Sequence, residues 1–457
     1  MKRMRTDGSF RRLESVFPPD SDTAWTSIFT GLNPAEHGVV KFVDPLEKSI
    51  GYTTQTDSND AVKGKCIWDH LSENGKKVCV LLPHAAFPPW KVNGLMISRS
   101  SATNEVRAVP EGWIKNSELD GLKAPRGFPG KSRETIKKYI EESRRLLDNT
   151  KELTIRLLDR EDWDFFFVYS PVLDIIPHFF WKFYDKGDPD YPSTNPYEDL
   201  IPSLYKEHDA FLGELLRRAR ERDIVVALSD HGHGRRPRWE FKMNETLRRE
   251  GFLFSKEKHD RKKSIGMNEW LLRIVTRGVE RFGLENQASS MLGRFPSLRK
   301  RLTEPSWIDL DRTIAATVDL SGIKSYSYGG VRINTRALNS STDYERVRRH
   351  IINLIDSLRD TSNGKKISVW VKPREEVYMG DHINEFPDIL YQLDPEYGFN
   401  PRLGMPLIEN SRIRSIVPGT HLGLNAVIIV HGEKGTPSFE TVTMTSIAKT
   451  IETCLGS

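Results

Sequence analysis

The sequence predicts an α/β protein with a mostly parallel central sheet and helices on both of its faces. Six short apolar or aromatic runs recur along the chain, and each is followed by a turn signal. Runs without alternation are typical of strands that are buried on both faces, as in parallel sheets. The predicted strands are KKVCVLL, WDFFFVYS, DIVVALSD, GGVRIN, SVWVK and NAVIIV.

Helical patterns lie between these runs. Apolar side chains from Leu204 to Ala219 fall on one helical face, and those from Tyr344 to Leu358 do the same. Strands that alternate with helices indicate parallel strands joined by helical crossovers. Ligands of such sheets bind beyond the carboxyl ends of the strands, so the residues that follow each strand matter most for function.

The alternation stops between residues 235 and 325. This stretch is rich in Arg and Lys and holds two helix-like pieces, around Trp270–Glu280 and Leu298–Leu302. We interpret it as an insertion or cap. The predicted organisation is therefore a first core part at 1–234, the insertion at 235–325, and a second core part at 326–457.

The composition excludes several classes of protein. The 457 residues include 68 Lys and Arg against 63 Asp and Glu, and the resulting charge of +5 does not require nucleic acid or an acidic membrane as a partner. No apolar run approaches the roughly 18 residues of a spanning helix, and the basic N-terminus lacks the apolar core of a signal peptide. Three widely spaced cysteines exclude a disulfide framework. We expect a cytoplasmic protein without a membrane partner.

Asp174 and His178 follow the predicted strand WDFFFVYS at Asp-x-x-x-His spacing. Residues four apart lie on the same face of a helix, so one cation can meet both side chains. The alternative is an Asp that caps the helix and a His that packs beside the neighbouring aromatic residues.

Asp230 and His231 stand directly after DIVVALSD, and Gly232 allows a sharp turn there. A buried carboxylate beside an imidazole must be paired or coordinated, although an ordinary turn would also use Asp and Gly. We expect His233, two residues on, at the rim. His421 precedes NAVIIV in a glycine-rich loop and supplies a third candidate nitrogen ligand.

A hydroxyl near the N-terminus, from Ser21 or Thr23, precedes the helix-like stretch that begins AWTSIF. A hydroxyl in this position is normally a helix cap. The same position also directs backbone N–H groups and the helix dipole toward an incoming anion. A hydroxyl beside a metal ion can attack phosphorus.

The order of hydroxyl, Asp-x-x-x-His, Asp-His-Gly and Thr-His resembles the alkaline phosphatase superfamily. The most similar branch is the type I phosphodiesterase/nucleotide pyrophosphatase group, with its microbial phosphohydrolase-like and phosphomutase-like members. The resemblance includes the segments AWTSIFTGLNP, IWDHLSENGKKV, PPWKVNG and VYMGDHINEFPDILY. It implies an alkaline phosphatase-like fold for the chain.

The resemblance also implies a role for each candidate residue. The family nucleophile stands ten residues before Gly31, which places it at Ser21 and not at Thr23. Two divalent metal ions, Zn²⁺ or Mn²⁺, would act on a small-molecule phosphate ester through a phosphoserine. The implied ligands are Asp174, His178 and His421 for one ion, and Asp230 and His231, with Ser21 reaching toward it, for the other.

The substrate class stays open between phosphodiester and phosphomonoester, with phosphomutase as an alternative. Ala24 occupies the place of an Asn that holds a phosphoryl oxygen in nucleotide-hydrolysing relatives, which argues against strong nucleotide phosphodiesterase activity. The Pro and Arg that a sulfatase needs beside the nucleophile are absent. Asn33 and His37 match the family motif, and we interpret them as turn and packing residues.

The beginning of the chain departs from the family pattern. Relatives have a first strand that ends in Asp-Gly, well before the nucleophile, and this Asp ligates the second metal. Only twenty residues precede Ser21, and the single Asp-Gly, at Asp7, does not follow an apolar strand. We therefore expect a gap in the sheet beside WDFFFVYS and DIVVALSD, an incomplete second metal site unless Asp20 or Asp22 substitutes, and little activity. A catalytically impaired or non-catalytic binding protein is the alternative.

Overall fold

The computed structural model describes most of the chain. The described residues are 4, 8–39, 41–44, 49–52, 65–101, 103–130, 132–256, 308–309, 311–318, 320, 326–338, 340–432 and 442–456. The two helix-like pieces predicted around residues 270–280 and 298–302 lie outside these ranges. Within them, no helix is both long enough and apolar enough to cross a membrane.

Strands and helices alternate through the first half of the described chain. The strands are β1 Ser9–Leu13, β2 Lys41–Asp44, β3 Ser49–Tyr52, β4 Val78–Leu81, β5 Gly94–Arg99, β6 Val106–Val109, β7 Phe165–Val168, β8 Val225–Leu228, β9 Gly232–Arg235, β10 Trp239–Phe241, β11 Ala315–Val318, β12 Tyr328–Ile333, β13 Ser368–Pro373, β14 Ile389–Leu393, β15 Tyr397–Phe399, β16 Ile408–Asn410, β17 Gly419–Leu422 and β18 Ala426–His431. The α-helices are α1 Ser21–Thr30, α2 Pro34–His37, α3 Ile67–Glu73, α4 Asn116–Gly121, α5 Arg133–Arg160, α6 Val172–Tyr184, α7 Leu200–Arg218, α8 Met243–Arg249, α9 Ser341–Ser357 and α10 Ile447–Cys454.

The fold is a mixed α/β arrangement, as the sequence predicts, and all six predicted strands and both predicted helices are present. Strand β4 runs parallel to β5 and β7. Strand β10 is also parallel to β15, whereas β18 is antiparallel to β8, and β11, β12, β14 and β13 form an antiparallel sheet. An apolar run indicates burial on both faces, but it carries no information about strand direction.

The central layer is divided into two sheets in the described part of the chain. One has the order β6-β5-β4-β7 and the other β1-β18-β8, so that β7 and β8 each form an edge. Phe167 on β7 and Val226 on β8 pack against the same hydrophobic cluster, which includes Trp25 of α1. The two edge strands thus contact one cluster. They are the strands beside which the sequence predicts a gap, and that gap stays a prediction.

Strand β1 is missing from the sequence-based prediction. Its five residues, SFRRL, pair antiparallel with β18 on the side away from β8. Because an edge strand needs little apolar surface, β1 can contain two arginines, and it therefore does not form the apolar run by which the other strands were predicted. Because β1 lies at the outer edge, it does not fill the interruption between β7 and β8.

The second half of the chain surrounds another hydrophobic cluster. Leu247 of α8 and Ile308 belong to it together with Val331 of β12 and Ile351 of α9. Residues at both ends of the predicted insertion are therefore packed against the second core part. The division into three parts, with a cap at 235–325, remains a prediction.

A two-stranded ribbon connects the two halves near the carboxyl ends of β7 and β8. Strand β9 pairs antiparallel with β17, and helix α6 packs across both of them. The approach is close at Gly419, where an added Cβ would lie 2.2 Å from the carbonyl oxygen of Pro177 on α6. The ribbon and α6 together position the side chains of the candidate site.

Gly419→Ala is expected to destabilise the protein by about 1–3 kcal/mol, because the new methyl group meets helix backbone that cannot move aside alone. Gly423→Ala is the matched control, since its added Cβ would meet only Pro19 ring carbons at 3.7 Å. Urea unfolding of the two variants measures the difference. Equal stability of both variants would show that α6 is not held tightly on the ribbon.

Candidate active site

Ser21 is the first residue of helix α1, and Asp20 caps the helix in its place. The Asp20 side chain accepts a hydrogen bond from the Asp22 backbone N–H at 3.2 Å. The Ser21 hydroxyl is therefore not used as a cap, which corrects the usual expectation for a helix-start serine. Its Oγ lies 3.0 Å from His231 Nε2, and the hydroxyl acts to lower the pKa of the nearby Asp230 carboxyl.

Thr23, the competing hydroxyl, is completely buried. Its Oγ1 has no hydrogen-bond partner among the described residues. It therefore contacts neither His231 nor Asp230 by hydrogen bond, and the choice of Ser21 over Thr23 as the nucleophile stays a prediction.

Asp174, His178 and His421 converge, although more than 240 residues separate the first from the last. Asp174 Oδ1 lies 3.3 Å from His178 Nε2 and 3.2 Å from His421 Nε2, and the two nitrogens are 2.9 Å apart. Neighbouring ligands of a tetrahedral zinc ion with bonds of about 2.0–2.1 Å lie roughly 3.3 Å apart. The three atoms thus have the spacing of one face of a metal tetrahedron.

Backbone carbonyls determine which nitrogen of each imidazole faces this centre. His421 Nδ1–H donates to Pro19 O at 3.1 Å, and His178 Nδ1–H donates to Gly419 O at 3.4 Å. A carbonyl can only accept, so in the neutral rings both Nε2 atoms carry lone pairs that point toward Asp174. Metal-binding histidines are oriented in the same way by a second hydrogen bond to a carbonyl.

Asp230, His231 and Ser21 form a second group. His231 Nδ1–H donates to Gly232 O at 3.0 Å, which leaves the Nε2 lone pair 3.3 Å from Asp230 Oδ2. Ser21 Oγ lies 3.0 Å from the same Nε2, so a hydroxyl, an imidazole and a carboxylate meet at this point. The rings of His231 and His421 stack with centroids 3.8 Å apart, so the two groups are contiguous.

Burial and charge set the protonation states in the site. Burial alone would raise the pKa of Asp174, but its interactions with His178 and His421 hold that pKa well below the usual value. Burial, helped by His231, lowers the pKa of His421 well below its usual value. Burial also raises the pKa of Asp230. An ionised Asp174 beside a neutral His421 has the protonation states that metal binding requires.

Several residues of the site were missed by the sequence argument. His84, in the loop after β4, lies with Nε2 2.7 Å from Asp22 Oδ1, beside Ser21. Because ligands bind beyond strand ends, its place after KKVCVLL was the available signal. Tyr169, just after β7, interacts electrostatically with Asp230 and Asp174, and burial raises its pKa well above the usual value. Asp20 and Asp22 were suggested as substitutes for the missing carboxylate ligand of the second metal. Asp20 caps α1, and Asp22 pairs with His84.

Arg236 lies behind the first group and has no solvent exposure. Its guanidinium donates to Val417 O and, at 2.7 Å, to Gly419 O, the carbonyl that also accepts from His178. No sequence pattern marks this residue, since arginines are common in the segment that follows it. The contact connects a buried cation to the orientation of a candidate ligand.

Asn33 and His37 have the structural roles that the sequence predicts. Asn33 caps α2 within a capping box formed with Glu36. His37 is fully buried between Ser27 Oγ, 2.9 Å from its Nε2, and the Val39 N–H, which donates to its Nδ1 at 3.0 Å. The two residues hold the turn that follows α1 and with it the position of the Ser21 helix.

The fold and the site define the class: an α/β protein of the alkaline phosphatase superfamily, with a serine hydroxyl beside a cluster of carboxylates and imidazoles. The chain belongs to the type I phosphodiesterase/nucleotide pyrophosphatase family, whose model matches residues 1–414. This family is metal-dependent and carries out phosphoryl transfer. No curated protein matches the sequence.

Solved structures of similar fold cover nearly the whole chain. Phosphonoacetate hydrolase from Sinorhizobium meliloti 1021, in complex with phosphonoformate, has 14% identity and a TM-score of 0.57, over 99% of this chain and 89% of that one. The same hydrolase in complex with phosphonoacetate has 15% identity and a TM-score of 0.58, with equal coverage. Murine ectonucleotide pyrophosphatase/phosphodiesterase 5 has 11% identity and a TM-score of 0.48, over 97% and 86%. The similarity to the hydrolase shows the fold alone.

His37 is expected to make stability depend on pH. Burial, together with the nearby His382, lowers its pKa to about 3. The unfolded chain binds a proton near the ordinary value of about 6.5, so the native state binds fewer protons between these values and loses stability as pH falls. The contribution is about 2 kcal/mol by pH 5. His37→Asn should remove this pH dependence in urea unfolding. If the free energies of unfolding of the wild type and His37→Asn changed equally between pH 7.5 and 5, the lowered pKa of His37 would be wrong.

Proposed function

We propose that the protein is a metal-dependent phosphoric ester hydrolase that acts on a small-molecule phosphate ester through a phosphoserine at Ser21. The observation that supports it most is the orientation of His178, His231 and His421. Each donates from Nδ1 to a backbone carbonyl and directs its Nε2 lone pair toward Asp174 or Asp230. Lone pairs and carboxylates that face one another repel unless a cation lies among them.

The donor set fits two divalent ions of the Zn²⁺ or Mn²⁺ type. Asp174, His178 and His421 would hold one ion, and Asp230 and His231 the other, with Ser21 beside it. Imidazole and carboxylate are the ligands that these metals share. When bound, the metals lower the pKa of a coordinated hydroxyl and stabilise negative charge on the phosphoryl group.

The residues of the chain then account for the two halves of the reaction. Ser21 Oγ loses its proton to solvent and attacks phosphorus in line, so that an Oγ–P bond forms as the bond to the leaving oxygen breaks, and the leaving group departs as an alcohol after it takes a proton from water. Asp230 and His231 hold the hydroxyl in place for this attack. The N–H groups at the start of α1 face the phosphoryl oxygens. Water then cleaves the Oγ–P bond and restores the serine.

A second candidate is a protein of the same fold with impaired catalysis. The interruption between β7 and β8 favours it, since no described strand there supplies a carboxylate to Asp230 and His231. Asp230 would then share its ion with fewer protein ligands than Asp174 does. Metal content separates the two candidates.

Ser21→Ala is expected to lower the hydrolysis of p-nitrophenyl phosphate or bis(p-nitrophenyl) phosphate by about a thousandfold or more, because it removes the nucleophile. Thr23→Val, which removes the other hydroxyl with little change in shape, is the control and should retain most of the activity. Mass spectrometry of the acid-quenched enzyme should find phosphate on residue 21. Loss of activity in the threonine variant alone would reverse the assignment of the nucleophile.

Asp174→Asn is expected to lower the zinc content by about one ion per chain, because the first ion loses its carboxylate ligand. Asp148→Asn is the control, since its side chain is 59% exposed on α5. Elemental analysis after zinc loading and dialysis gives the stoichiometry. A wild-type content near one ion would favour the impaired candidate, and equal zinc in both variants would remove Asp174 from the site.

A further inference from the structure

A group of hydrogen-bond donors near Asp174 is not used by the proposed function. Strands β5, β4 and β7 are neighbours that run parallel to one another, so their carboxyl ends lie at one edge of the sheet. Arg99 is the last residue of β5, and Tyr169 directly follows β7. Asp174, a proposed metal ligand, lies in the first turn of α6, the helix that comes next in the chain. The backbones of all three residues therefore lie at the same edge.

The Tyr169 phenol interacts with both groups of proposed metal ligands. Burial, together with Asp230 and Asp174, raises its pKa well above the usual value, so the hydroxyl keeps its proton at neutral pH. Its ring packs edge-on against Trp25, with centroids 5.2 Å apart, and against His84 at 5.9 Å. Within the described chain, the hydroxyl makes no hydrogen bond. A donor held by aromatic packing can thus serve a ligand at this edge.

A second phenol interacts with Asp174 from helix α5. Tyr139 is buried, and burial, together with Asp174 and Glu142, raises its pKa above the usual value. Its ring packs edge-on against Phe179 of α6, with centroids 5.6 Å apart. The Tyr139 hydroxyl also has no hydrogen-bond partner among the residues that the structure describes. Two phenol donors therefore lie near one proposed metal ligand without a hydrogen bond of their own.

Arg99 adds a positive charge to these two donors. Burial lowers its pKa below the usual value, and an electrostatic interaction with Tyr169 acts in the opposite direction. The guanidinium donates from Nη1 to Leu122 O at 3.3 Å, and it forms no ion pair with any described carboxylate. Desolvation of a guanidinium without an anionic partner is costly. An anion that binds to Arg99 would offset that cost.

We propose that Arg99, Tyr139 and Tyr169 form a subsite for a second anionic group of the substrate, either a carboxylate or another phosphate. The inference rests on the proposed function and names the class of phosphate ester that this site takes. At neutral pH all three side chains can donate hydrogen bonds, and none carries a negative charge. A planar guanidinium binds both kinds of anion well. An ion held by Asp174 would compensate its carboxylate, which then would not repel the ligand.

Arg99→Met tests the proposal, because methionine keeps an apolar stem and removes the charge. Arg107→Met is the matched control, since Arg107 lies on the adjacent strand β6 with 55% of its side chain exposed. Calorimetry of the zinc-loaded protein measures the binding of butylphosphonate, γ-phosphonobutyrate and tetramethylenediphosphonate. The last two compounds replace the terminal methyl end of the first by a carboxylate and by a second phosphonate.

We expect the wild type and Arg107→Met to bind at least one compound with a second anionic group about tenfold or more tightly than butylphosphonate. Arg99→Met should lose this preference and still bind butylphosphonate within about twofold of the wild type. Tyr139→Phe and Tyr169→Phe remove only the hydroxyl groups, and each should weaken the preference about threefold. The tighter of the two compounds identifies the second group of the substrate as a carboxylate or a phosphate.

A wild type that binds none of the three compounds, or binds all of them equally, would overturn the proposal. A preference that survives in folded Arg99→Met, or that is unchanged in both phenylalanine variants, would overturn it as well. The proposed function is tested separately, by hydrolysis of phosphate esters. Preferential binding by a wild type that hydrolyses no phosphate ester would support the subsite and refute only the hydrolase function.

Discussion

The carboxylate of Asp174 and the imidazoles around it impose the constraint on which the rest of the site depends. Asp174 is half-buried, and a partly buried carboxylate is costly unless cations or donors compensate it. Here the Nδ1–H groups of the imidazoles are already used by the carbonyls of Pro19, Gly232 and Gly419. The nitrogens that remain offer lone pairs, and only a cation satisfies lone pairs and carboxylate together. The electrostatics of the site therefore follow from hydrogen bonds made outside it.

Those carbonyls come from three separate segments, so the geometry of the site depends on how the segments are joined. Arg236 donates to Gly419 O, and the cross-strand pairing of His233 with His421 sets the facing side chains. Tyr378 donates from its hydroxyl to Phe17 O at 2.6 Å, which holds the loop before Ser21 against the second half of the chain. Polar contacts behind the ligands orient them, as in metalloproteins generally.

The sequence predicted local features of this protein better than those that depend on distant parts of the chain. Apolar runs identified the strands, and helical spacing placed Asp174 and His178 on one face, since both signals lie within a few residues. The convergence of His421 with them followed from family resemblance, because no local pattern connects residues 247 apart. The sequence predicted His233 at the rim because HGHG is typical of a turn. The segment instead forms strand β9, in which alternate residues face the same side. The sequence also did not identify Asp20 as the helix cap, because the next three residues, Ser21–Thr23, can all cap a helix.

The proposed metals would also affect the structure, because β7 and β8 are edge strands of two separate sheets in the described part of the chain. Asp174 and His178 follow β7, and Asp230 and His231 follow β8, so the two groups of ligands stand on sheets that do not pair in the described part of the chain. Stacking of His231 on His421 and the hydrogen bonds of Ser21 already connect the groups. Ions held in both groups would add strong links at the same place, and binding to the native state alone stabilises it by mass action. Metal binding and the integrity of the central layer are therefore expected to be coupled in this protein.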